Sequence, residues 1–193
     1  MIKIITGKGR VDRRETMRYL GCYGVKCEDG LDAVLDECEK LILPALRPAA
    51  CYALFDVKRT GDALDLGFAK TRSKALSKNL EGCGKIALFA ATVGAETDRL
   101  IIKYEKLSSV RALVLQALGA AAAECWCDDV NAQITAEHGE TKPRFSCGYG
   151  DLPLELQREI FAALNVSKNL GVTLSENFFM TPTKSVTAIV GIK

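Results

Sequence analysis

Histidine is nearly absent from this 193-residue chain, with His138 the single imidazole. That excludes the multi-histidine metal centres of hydrolases and oxygenases. Cysteine is plentiful, with eight residues, but no two stand in the Cys-x-x-Cys spacing of zinc or iron–sulfur sites. Cys125 and Cys127 lie two apart in a segment that reads as helix, where side chains diverge, so a joint metal site with Cys147 is disfavoured. No Gly-x-Ser-x-Gly elbow occurs and no Gly-x-Gly-x-x-Gly follows a strand. The stretch Gly82-Cys83-Gly84-Lys85 lacks both the leading glycine and the trailing Ser/Thr of a phosphate loop. Triad hydrolysis, dinucleotide binding and P-loop chemistry are poorly supported.

Charge of one sign is also missing. The chain carries 26 Lys+Arg against 24 Asp+Glu, a net charge of +2, too balanced for a domain built to neutralise nucleic-acid phosphates. The longest uncharged run, 112–123, falls well short of the roughly 20 apolar residues of a membrane span. The opening MIKIITGKGRVDRRE has too brief an apolar stretch for a secretory signal. The expectation is a cytoplasmic protein with no membrane or nucleic-acid partner, whose cysteines, Cys27 included, are reduced thiols serving as small apolar filler.

What is present suits one globular domain: a 48% hydrophobic and 26% charged composition at a length near the roughly 100–200 residues of a single domain. Asp12 is placed to cap a helix through Tyr19 that ends at Gly21, before a Gly-containing segment over 22–25. Leu31, Val34, Leu35, Cys38, Leu41 and Ile42 recur at helical spacing and predict an amphipathic helix ending before Pro48. The apolar segments 50–57 and 64–69, separated by Arg59-Thr60-Gly61-Asp62, read as paired strands. A short helix over 73–80 precedes the continuous apolar run Lys85–Val93, which predicts a central strand. Helices are expected over 96–104 and 109–136, the longer one capped by Ser108 or Ser109 and apolar on every face over 112–123. A further helix over 153–164 takes Asp151 as its cap, and 185–192 is a closing strand. The fold class is α+β, one mixed or antiparallel twisted sheet packed against several helices. An N-terminal helical part covers about 1–48, and the sheet, helices and ligand loop cover about 49–193.

One stretch stands apart: Arg144-Phe145-Ser146-Cys147-Gly148-Tyr149-Gly150-Asp151-Leu152-Pro153, followed by Leu174-Ser175-Glu176-Asn177-Phe178-Phe179-Met180 and the Ser185-Val186 strand. Arg-x-x-x-Gly-Tyr ahead of a helix, then Leu-(Ser/Thr)-Glu and Ser-Val in that order, resembles the activation domain of cobalamin-dependent methionine synthase. Arg14 to Gly21, Ala91-Thr92-Val93-Gly94 and the Ala-rich helix containing Glu124 extend the resemblance more weakly over most of the chain. The resemblance implies a domain that binds S-adenosylmethionine and supports reductive methylation of oxidised cobalamin. The cobalamin would be carried by a partner, methionine synthase or another corrinoid protein, and the electron delivered by a flavodoxin- or ferredoxin-like donor. It also implies a component of a methyltransferase system rather than an independent catalyst, with no protein nucleophile. A docking subunit that no longer holds the small molecule is the alternative.

The resemblance assigns Arg144 and Tyr149 to the ligand, with backbone contacts at Ser146, and makes Glu124 the counter-charge. The chemistry of the side chains agrees. Arg144 presents a planar fork suited to a carboxylate, Gly148 lets backbone approach a ligand closely, and Tyr149 offers a ring face for a sulfonium. Plainer roles stand beside these: Arg144 pairing with Asp151 or Glu176, Gly148 as a turn residue, Tyr149 packed on the following helix. Glu176 reads as a loop anchor, Lys184 as a solvated lysine, His138 as a solvated imidazole, and Lys70, Arg72, Lys74 and Lys78 as a solvated helix face. Cys147 stands where the family usually has proline, which implies a differently restrained loop. The family's domain also has a longer lead-in and runs on beyond the Ser-Val strand, so part of the binding site is expected to be missing or supplied by a partner.

Overall fold

The computed structural model describes residues 1–22 and 30–193; the expected segment over 23–25 and Cys27 lie outside them. Four strands form the main sheet in the order β1 (Lys3–Thr6), β2 (Ala49–Asp56), β6 (Lys85–Thr92), β9 (Ser185–Ile192), every pair antiparallel. Two smaller antiparallel sheets accompany it: β3 (Lys58–Thr60) with β4 (Ala63–Asp65) and β5 (Lys70–Thr71), and β7 (Thr173–Leu174) with β8 (Met180–Thr181). The helices are α1 (Arg13–Tyr19), α2 (Leu31–Ile42), α3 (Lys74–Asn79), α4 (Ala95–Leu107), α5 (Ser109–His138), α6 (Gln157–Leu164) and α7 (Val166–Leu170). The α+β class stands.

The continuous apolar run of β6 has a direct cause. Successive side chains of a strand point to opposite faces, and both faces of this sheet are covered. Ala87, Phe89, Ala91 and Val93 enter a core shared with α2, α4 and α5, whereas Ile86, Leu88 and Ala90 enter a second core shared with α3, α6 and α7. Register places Tyr52 opposite Phe89 and Phe89 opposite Ala188. The first core includes Leu35, Cys38 and Ile42 of α2, and β1 pairs with β2. Among the described residues before Ala49, β1 thus joins the sheet and α2 joins its first core.

Three expectations are corrected. The segments 50–57 and 64–69 do not pair: β2 lies between β1 and β6, and the Arg59–Asp62 turn joins β3 to β4 instead. The reason is the two-faced burial of β2, which favours a partner buried as deeply as β6. Asp151 does not cap the helix that follows it, because a 3-10 turn over Leu154–Leu156 comes first. Its carboxylate reaches across the fold to the start of α3, accepting from the amides of Lys74 (2.7 Å) and Ala75 (3.1 Å) and from the Ser73 hydroxyl. The basic residues 70–78 do not share a helix, since Lys70 is in β5 and Arg72 in the connection to α3.

The hydrogen bond from Ser73, with those from the two amides, holds the Asp151 carboxyl below its ordinary pKa. A depressed carboxylate pKa means stability present above the unfolded value and lost as pH falls through the folded one. Asp151→Asn is therefore expected to lower Tm by a few degrees at pH 7, with the deficit against wild type shrinking in melts at progressively lower pH.

α5 is long and apolar enough by composition to span a membrane, although its central uncharged run is short, but 67% of its most apolar window is buried within the protein. It is the core helix of the domain. Ser108 caps its start through Arg111 N–H, and Trp126 ties its middle to the sheet by donating to Ala49 O at 3.0 Å. Beyond its end the chain runs beside β9: Lys142 N–H donates to Gly191 O, and Phe145 and Ile189 exchange both backbone bonds at 2.8–2.9 Å.

Candidate functional site

Alignment of the 141–145 segment along β9 brings Arg144 opposite the middle of α5. Glu124, Asp128 and Asn131 follow one another at four- and three-residue steps, which puts them on a single face of that helix. Arg144 Nη1 donates to Asp128 Oδ1 at 2.6 Å and Nη2 to Glu124 Oε2 at 3.1 Å. The three side chains are 24%, 65% and 39% exposed for Arg144, Asp128 and Glu124. Burial, the largest influence on the guanidinium, works against its charge. The hydrogen bond to Asp128 and the nearby Cys127, Asp128 and Glu124 outweigh it, leaving the pKa raised and Arg144 a permanent cation.

These residues wall a cleft of about 440 Å³ together with Pro143, Ser146, Tyr149 and Val186. The size is within the roughly 300–1,000 Å³ typical of small-molecule sites. Ser146 is anchored by its hydroxyl, which donates to Thr187 O of β9 at 2.8 Å. From there the chain folds into a compact loop in which Tyr149 N–H donates to Ser146 O, Leu152 N–H to Tyr149 O, and Gly148 N–H to Leu152 O. Gly148 sits at φ +85°, a conformation that side chains with a Cβ rarely adopt. A Cβ there would meet only ordinary contact with Leu154, so backbone conformation, not crowding, calls for glycine. Tyr149 is 71% exposed, its ring edge-on to Phe145 at 6.3 Å, and stands at the cleft mouth.

Of the residues singled out in the sequence, Glu124, Arg144, Ser146 and Tyr149 line the cleft, while Gly148 shapes the loop and lies outside its wall. Arg144 pairs with neither Asp151 nor Glu176 but with the two α5 carboxylates. Asp128, Asn131, Pro143 and Val186 were not anticipated as lining residues. Asp128 had a readable signal, four residues beyond Glu124 on the same helical face. Cys147 is buried and packs in the second core beneath the loop. Burial pushes its thiol up to about 12, as it does that of Cys127, so neither is a nucleophile at neutral pH. All seven cysteines among the described residues are free.

Two further residues differ from expectation. Lys184 is not solvated: its ammonium donates to Gln116 Oε1 at 2.7 Å, and its stem packs where Gly119 of α5 leaves room. Burial lowers its pKa. His138 is not solvated either, its Nε2 lying 3.0 Å from the Tyr52 hydroxyl, which donates to Glu137 at 2.7 Å.

No curated protein matches the chain. Among solved structures, the crystal structure of the MetH reactivation domain bound to AdoHcy has a similar fold. Its TM-score is 0.76 at 17% identity, over 100% of this chain and 78% of that one. The family described as "Vitamin B12 dependent methionine synthase, activation domain" matches residues 75–192, a span that contains every residue lining the cleft. The chain belongs to the family of vitamin B12-dependent methionine synthase activation domains.

Proposed function

We propose that the protein binds S-adenosylmethionine in the Arg144 cleft and serves as a reactivation component for a corrinoid protein, methionine synthase or a relative, acting in trans. The observation that carries this reading is the placing of one guanidinium and two carboxylates in a cleft of ligand size. An amino-acid head group needs a cation for its carboxylate and anions for its ammonium, and Arg144 with Glu124 and Asp128 supplies both. Tyr149, at the mouth, offers its ring to the sulfonium. The similar structure carrying AdoHcy supports the same ligand class.

In this reading the protein binds and orients, and the chemistry belongs to the ligand and to the partner's cobalt. A partner's corrinoid would supply the methyl-accepting centre and a flavodoxin- or ferredoxin-like donor the electron, while Arg144, Glu124, Asp128 and Tyr149 would hold the sulfonium ligand in place. The residues of this chain hold the amino-acid end and leave the methyl end toward the open mouth at Tyr149.

One observation favours the docking-subunit alternative: both terminal nitrogens of Arg144 already have carboxylate partners, as in a purely structural ion pair. Titration calorimetry of the protein with S-adenosylmethionine separates the two. Saturable one-to-one binding is expected, followed by restored methylation when the protein is added to a corrinoid protein with reductant. Absence of heat and of any thermal shift at millimolar ligand, together with tight binding to the corrinoid protein, would establish the alternative.

A further inference from the structure

The charged groups of the cleft do not balance. Glu124 and Asp128 face a single guanidinium, Arg144, so the charged residues lining the cavity carry a formal charge of −1. On the α1 side, Arg10 is paired with Asp129, Arg13 with Asp36 and Arg18 with Glu15, and none of the three lines the cavity. Lys184 reaches the same face of β9 but is turned to Gln116. One carboxylate would have sufficed to orient Arg144. The second, Asp128, makes the shorter bond of the two, 2.6 Å against 3.1 Å, yet lines the cleft with most of its side chain exposed.

We propose that Asp128 is a specificity-determining residue, whose surplus negative charge makes the cleft select a net-cationic sulfonium ligand over the neutral thioether left when the methyl group is gone. This rests on the binding reading above and extends it. S-Adenosylmethionine carries a carboxylate, an ammonium and a sulfonium, a net charge of +1. S-Adenosylhomocysteine lacks the sulfonium and is neutral overall. Both offer the same carboxylate to Arg144 and the same ammonium to the acidic pair, so shape and hydrogen bonding distinguish them little. A fixed charge a few ångströms away in a partly screened site does distinguish them, by roughly tenfold. The consequence is directional: the spent ligand leaves more readily than the donor, and fresh donor displaces it.

The test is calorimetric titration of the full chain with S-adenosylmethionine, S-adenosylhomocysteine and sinefungin, whose amine-bearing carbon replaces the sulfonium and restores the net charge of +1. Each is titrated into wild type, Asp128→Asn and Asp129→Asn. Asp129 is the control, since it is adjacent, loses the same charge on substitution, pairs with Arg10 and does not line the cavity. Wild type and Asp129→Asn are expected to bind both cationic ligands about tenfold tighter than the thioether at low salt. In Asp128→Asn the ratio should fall to about threefold or less, through weaker binding of the cationic pair. Equal affinity of wild type for all three ligands overturns the proposal, as does an undiminished ratio in Asp128→Asn. If none of the three binds wild type, the binding reading itself fails and the proposal with it.

Discussion

Arg144→Ala is expected to weaken S-adenosylmethionine binding by roughly 30- to 100-fold, the worth of charge-assisted bonding to a carboxylate from a partly buried fork. The loss has two sources. The ligand carboxylate has no cation left to meet, and Glu124 and Asp128, four residues apart on α5, face the cleft as unpaired like charges. On a helix such a pair costs only about 0.2–0.5 kcal/mol, so the fold survives and the binding loss is read cleanly in calorimetry beside an almost unchanged melting curve. Arg144→Lys should recover part of the affinity, because an ammonium keeps the charge but not the two-pronged geometry. A binding loss confined to a collapsed melting curve would show that Arg144 acts on structure alone.

The largest expected effect on stability is that of Phe89→Ala. Phe89 is completely buried in β6, between Tyr52 and Ala188 on the neighbouring strands, in the core that the middle of α5 covers. Removing the ring deletes its burial and leaves a cavity, which costs about 3–5 kcal/mol. Native domains hold only about 5–15 kcal/mol in total. Thermal unfolding should show Tm lower by about 10 °C. Any fall in ligand affinity should track the unfolded fraction, since Phe89 supports the helix carrying Glu124 and Asp128 without lining the cleft.

The grouping of the loop residues at the cleft was readable along the chain because they are contiguous: Arg144, Ser146 and Tyr149 come within six residues, and Gly148 takes the positive φ between them. The helix caps Asp12 and Ser108 were equally local, their side chains accepting from amides two or three residues ahead. What escaped was non-local. The partners of β2 are β1, about forty-five residues earlier, and β6, about thirty-five later. Adjacency in sequence suggested instead the segment over 64–69. Asp151 looked like a cap for the helix beside it, and only folding brings it to α3, whose serine cap it reinforces. Lys184 and His138 illustrate the same limit: a polar residue near a loop reads as solvated until a glycine on another helix, or a tyrosine on a strand, gives it a berth.

The backbone bonds that lay residues 141–145 along β9 have a consequence outside ligand binding. An apolar border strand such as Ser185–Ile192 with bare N–H and C=O groups is a template for chain-to-chain pairing, and here the occupant of that border is the segment bearing Arg144. Shielding the sheet from aggregation and presenting the guanidinium are one structural act. Backbone bonds therefore hold the Arg144 segment in place without any ligand, and a change that pries it loose is expected to show first as precipitation.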